Sequence, residues 1–133
     1  SVDRLKIAQR LSDQRPAHLA PLQVCIQVNT DGGPTKAGVT PEALPELARA
    51  ISRLPRLRLR GLMTIPEPAA DFTSAFALHA RARALFDALN AQGLALDTLS
   101  MGMSADVEAA IHAGSTMVRV GTAIFGGRTR TTA

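Results

Sequence analysis

Four short apolar runs alternating with segments of helical periodicity constrain this chain more than any other feature. The first run, residues 22–28 (LQVCIQV), is short, apolar and rich in β-branched side chains, the pattern of a strand buried in a sheet. Runs at 57–65, 96–102 and 117–120 repeat it. Between them, residues 40–54, 71–90 and 104–114 carry helical spacing, with a leading helix from Val2 to Leu11 and a short closing segment at 121–125. Start and stop signals agree with that division. Thr40 suits an N-cap and Pro41 a first helical position, Asp71 suits a second cap, and Gly93 and Gly114 suit stops. Phe72, Phe76, Leu78, Leu85, Phe86 and Leu89 are the expected inner residues of the long helix.

Strands alternating with helices at this spacing predict an α/β fold with a parallel sheet in sequential order. Four such units are half of a TIM-type (β/α)8 barrel. A parallel (β/α) half-barrel leaves two open strand edges and one uncovered inner face, expected here from Val28, Met63, Met101 and Met117. The chain opens on a helix with no strand before it, as a segment cut from something longer would.

In such sheets ligands gather at the C-terminal ends of the strands. Those ends read Asn29, then Met63 to Pro66, then Met101 to Ser104, then Arg119 to Thr122. Ser104 is placed either to cap the helix expected to begin there or to donate its hydroxyl to an anion. Gly121 and Thr122 open a turn whose amides are unshielded by a Cβ at the glycine, the second half of a phosphate site. Arg119 stands inside an apolar strand and must find a partner, since burying it unpaired is expensive. That partner is a ligand or a salt bridge, for example to Asp106 or Glu108.

Around these positions the chain resembles the YggS/PROSC family of pyridoxal phosphate homeostasis proteins. The matching stretches are residues 1–11 (SVDRLKIAQRL), 57–63 (LRLRGLM), 99–106 (LSMGMSAD) and 117–126 (MVRVGTAIFG). The most specific are Gly-Met-Ser-x-Asp and Val-Arg-x-Gly-x-x-Ile-Phe-Gly. The likeness covers nearly all of the chain but only the latter part of the family, so residues 1–133 are expected to be the C-terminal half of the barrel domain. It implies a barrel similar to that of alanine racemase with pyridoxal 5'-phosphate at the strand C-termini. Ser104 and the amides near Gly121 and Thr122 would hold the phosphate, and Arg119 would face the pyridine nitrogen. Met63 would pack either on the ring or in the core. An arginine beside that nitrogen makes the ring a poorer electron sink, which suits carriage of the cofactor.

The implied function is therefore a non-enzymatic protein that carries or buffers the cofactor inside the cell. One alternative is an amino-acid racemase or decarboxylase on the same fold. Another is a fragment whose role is structural or self-associating. The family's aldimine lysine lies on a first strand without counterpart here. This chain has Lys6, mid-helix, and Lys36, in the 30–38 loop.

Composition excludes several other classes. The net charge of +4 does not form a basic arm, and the densest run, RLPRLRLR at 53–60, alternates arginine with apolar residues. With no Trp or Tyr to stack on bases, no nucleic-acid partner is expected. No apolar stretch approaches the ~20 residues that span a bilayer, so no membrane partner is expected either. Cys25 stands alone in an apolar run, reads as a small buried side chain and suits a reducing cytoplasm. His18, His79 and His112 lack metal-ligand spacing, so no metal is assigned.

Overall fold

The computed structural model describes residues 1–32 and 37–127; Lys36 lies outside the described residues. Among the described residues, four strands alternate with five helices. They are α1 (Leu5–Gln14), β1 (Leu22–Gln27), α2 (Leu44–Ser52), β2 (Leu57–Met63), α3 (Phe72–Ala91), β3 (Thr98–Met103), α4 (Val107–His112), β4 (Met117–Arg119) and α5 (Thr122–Phe125). The strands form one sheet in the order β1-β2-β3-β4, and every neighbouring pair is parallel. This is the expected half-barrel.

Alternation along each strand sends successive side chains to opposite faces. Val24, Ile26, Val28, Leu62, Leu99 and Met101 join one apolar cluster with Leu44, Ala48 and Ile51 of α2 and Ala82, Phe86 and Leu89 of α3. Full burial of one such aliphatic side chain stabilises by about 1.5–3 kcal/mol. The opposite, open face carries Gln23, Cys25, Gln27, Met63, Thr98, Ser100, Met117 and Arg119. The inner face expected from the sequence is thereby corrected. Val28 and Met101 are buried under the helices, and only Met63 and Met117 share the open side. The residues between them are largely polar, so this face tolerates water better than a wall of methionines would. Gly61 is required by close approach: a Cβ there would fall 1.5 Å from the Thr98 carbonyl oxygen on β3.

Three local expectations change. Residues 1–3 are not helical: Val2 bridges Ile26 in parallel, donating to the Cys25 carbonyl and accepting from Gln27 N–H, and so lies beside the free edge of β1. The second helix starts at Leu44, not at Pro41. Thr40 caps a preceding turn by accepting from Ala43 N–H, and Pro45, which has no N–H to give, sits in the first turn of the regular helix. On α3 the buried stripe is Ala75, His79, Ala82, Phe86 and Leu89, while Phe72 and Phe76 are exposed. Small residues at 75 and 82 let the helix approach closely, and that turns the two phenylalanines outward. There they stack on each other at 6.3 Å, and Phe72 meets His112 edge-on at 5.7 Å. Asp71 caps α3 as expected, accepting from Ser74 N–H at 2.7 Å.

Candidate functional site

The C-terminal ends of β2, β3 and β4 converge on one guanidinium. Arg119 Nη1 donates to the Ser100 carbonyl at 3.1 Å and to its hydroxyl at 2.5 Å, and Nη2 donates to the Thr64 carbonyl at 2.6 Å. The side chain thus crosses β3 to reach the end of β2. Half-burial lowers its pKa, with the Asp106 carboxylate pulling the other way, and arginine stays charged regardless. Of the two partners the sequence allows, a ligand or a salt bridge to a residue such as Asp106 or Glu108, the salt bridge gives way to backbone and hydroxyl oxygens, because both Asp106 carboxylate oxygens are engaged by His79 and the Met103 N–H. Met63 lies on the same open face, in register with Ser100. The Thr64 hydroxyl is buried at this end without a hydrogen-bond partner among the described residues.

Beside this lies the β3–α4 turn. Gly102 adopts φ +100° at its start, a conformation that L side chains rarely take. Asp106 then closes the turn: its N–H donates to the Met103 carbonyl at 3.1 Å, and its Oδ1 accepts from Met103 N–H at 2.8 Å. Ser104 therefore lies within a turn and does not open the helix, which begins at Val107. Its hydroxyl accepts from Ala123 N–H at 3.1 Å, in the first turn of α5. Gly121 is the N-cap of that helix and Thr122 its first residue. Ser104, Gly121 and Thr122 are thus neighbours on one rim.

His79 was the residue that sequence reasoning passed over. It is buried on α3, and its Nε2 lies 2.8 Å from Asp106 Oδ2. The available signal was its place in the 75-79-82-86-89 stripe, where an inward polar side chain must find a partner. Cys25 is half-buried on the open face; desolvation raises its thiol pKa, the opposite of nucleophile activation. Among the described residues no cluster of His, Cys, Asp or Glu could hold a metal, and no helix is long and apolar enough to cross a membrane.

A four-stranded parallel sheet of βα units, whose final loops bring the Ser104 hydroxyl, the start of α5 and the Arg119 guanidinium to the strand C-termini, is half of a (β/α)8-type barrel. Residues 1–129 match the family described as alanine racemase, N-terminal domain, and the chain belongs to it. Within that family it is similar to the pyridoxal phosphate homeostasis proteins. It is 62% identical to that of Pseudomonas aeruginosa over 96% of this chain and 54% of the relative. It is 53% identical to that of Escherichia coli over 96% and 55%. The chain spans about half the length of these relatives. PipY of Synechococcus elongatus, solved with PLP bound, superposes with a TM-score of 0.79 at 36% identity, covering 95% of this chain and 59% of PipY. The alanine racemase of Corynebacterium glutamicum shares the fold at a TM-score of 0.66 and 18% identity, covering 89% and 32%.

The donor set fits pyridoxal phosphate. A hydroxyl and a helix N-terminus suit the phosphate dianion, and the fixed guanidinium of Arg119 is a donor for a ring nitrogen.

Proposed function

We propose that this chain is the C-terminal half of a barrel that binds pyridoxal 5'-phosphate and serves its homeostasis, holding the cofactor without transforming a substrate. Ser104 and the amides at Gly121 and Thr122 hold the phosphate, Arg119 faces the pyridine nitrogen, and Met63 packs against the ring. The observation that carries this reading is the Ser104 hydroxyl seated on the first turn of α5, beside an arginine already fixed by three hydrogen bonds. Bound cofactor supplies a reactive aldehyde and an electron-accepting ring. Arg119 cannot surrender a proton near neutrality, so it leaves the nitrogen hydrogen-bonded but unprotonated, and the ring a weaker electron sink. That favours carriage over catalysis.

The other barrel strands, with the lysine that would bond the aldehyde, belong in this reading to an N-terminal half pairing with β4 and with the β1 edge. The lone, unpaired Cys25 accords with a cytoplasmic setting. Calorimetric titration of the chain with pyridoxal phosphate tests the binding. Binding is expected to be weak and reversible, and Ser104→Ala should weaken it by roughly 1–3 kcal/mol, the worth of a hydrogen bond to a charged group. Equal affinity of Ser104→Ala and the parent chain would overturn the assignment. Appearance of D-alanine from L-alanine with cofactor present would overturn the carrier reading in favour of a racemase.

A further inference from the structure

The buried histidine of α3 has a use that packing does not explain. His79 is 1% exposed, and its Nδ1 has no hydrogen-bond partner among the described residues. An imidazole with one nitrogen stranded in the core is a poor space-filler; a leucine would pack there without a polar penalty. What histidine adds is the Nε2 contact to Asp106 Oδ2 at 2.8 Å. With a carboxylate opposite, Nε2 carries the hydrogen of this contact and donates it to Oδ2.

Asp106 is occupied on both oxygens. Oδ2 takes His79, and Oδ1 takes Met103 N–H at 2.8 Å, which pins the carboxylate across the turn that contains Ser104. The Ser104 hydroxyl then accepts from Ala123 N–H at 3.1 Å, a contact between the β3–α4 turn and a helix 19 positions further on. A continuous path of hydrogen bonds and one turn therefore runs from α3, through the β3–α4 turn, to the first turn of α5. Without His79 the carboxylate keeps one tether of two and can swing out of the turn.

We propose that His79 is a positioning residue for the anion-holding rim, acting through Asp106 to fix where Ser104 presents its hydroxyl. This rests on the reading that Ser104 and the α5 turn receive a phosphate. It adds a residue that touches no ligand.

The test uses this chain with three substitutions and two readouts. His79→Leu fills the space without a donor. His79→Gln keeps an amide Nε2 within reach of Asp106. His79→Asn is too short to reach it. Calorimetry with pyridoxal phosphate and with inorganic phosphate measures the rim, and hydrogen exchange of the Met103 and Ala123 amides measures the turn without any ligand. His79→Leu and His79→Asn should each bind both probes roughly tenfold more weakly, with faster exchange at both amides, whereas His79→Gln should stay within about threefold of the parent. Should His79→Leu fail to fold, the contrast between glutamine and asparagine decides the matter. Unchanged exchange at Met103 and Ala123 in both donor-less variants would overturn the proposal, as would a glutamine variant as impaired as asparagine. If the parent chain binds neither probe, the cofactor reading of this chain fails, and the exchange data still decide whether His79 positions the turn.

Discussion

Replacing Gly102 by alanine separates two penalties that usually arrive together. The residue has φ +100°, and a Cβ there would come within 2.5 Å of Ala110 Cβ on α4 and 3.4 Å of Val118 Cγ1 on β4. Gly93 supplies the control, since its φ is +95° and a Cβ added there meets nothing within 4 Å. Gly93→Ala should therefore lose only the backbone strain, about 1–2 kcal/mol. Gly102→Ala should lose that and a further ~1–3 kcal/mol for overpacking a fully buried contact, because Ala110 has no flexible end to move aside. Urea denaturation of both variants, with m-values matched to the parent, measures the difference. Adding Ala110→Gly to Gly102→Ala should recover the overlap part, once the ~1 kcal/mol of a glycine inside a helix is measured in the single variant and subtracted. Losses from Gly102→Ala and Gly93→Ala that agree within error would refute the steric argument. So would a double variant that shows no coupling.

Three further outcomes are expected. The Asp97 carboxyl is held at about 2, chiefly by its hydrogen bonds from Arg60 and also by Thr98. Its stabilising contribution is therefore complete above the ordinary carboxylate value and lost as pH falls from there through about 2; Asp97→Asn should flatten a thermal-melt series over that window. Arg119→Lys keeps the charge but cannot serve Ser100 and Thr64 together, so urea unfolding should show a loss of roughly 1–3 kcal/mol. The isolated chain should self-associate through β4 and α5, where Met117, Ile124 and Phe125 are exposed, and a single monomeric species by sedimentation at high concentration would contradict that.

What could be read from residues alone followed from short-range periodicity. The four strands, their parallel order and the helices between them all follow from apolar spacing and from Asp71, Gly93 and Gly114. The choice of face was harder, because Val28 and Met101 are as apolar as Met63 and Met117, and only the pleat and the helix layer decide which way each turns. The inner side of α3 departs from the apolar pattern for a related reason. Hydrophobicity favoured Phe72 and Phe76, whereas close approach to the sheet favoured Ala75 and Ala82. The nearness of Ser104 to the Gly121–Thr122 turn follows from their places after neighbouring parallel strands. The partners of Arg119 were not readable, since carbonyl oxygens leave no mark in a sequence. Nor was the contact of His79 with Asp106, which joins residues 27 positions apart.

The reach of Arg119 bears on how a guest would be received. A guanidinium has five N–H donors, and the bonds to Ser100 and Thr64 employ three, leaving Nε–H and one hydrogen on Nη2. A free arginine gives up ~2 kcal/mol of rotamer entropy when it is immobilised on a ligand. Here most of that loss falls in folding, because the side chain is already moored to two strands when the ligand arrives. On the proposed reading, recognition at this corner of the rim would be a property of the folded sheet itself, offered to a planar acceptor by donors that folding has already set in place.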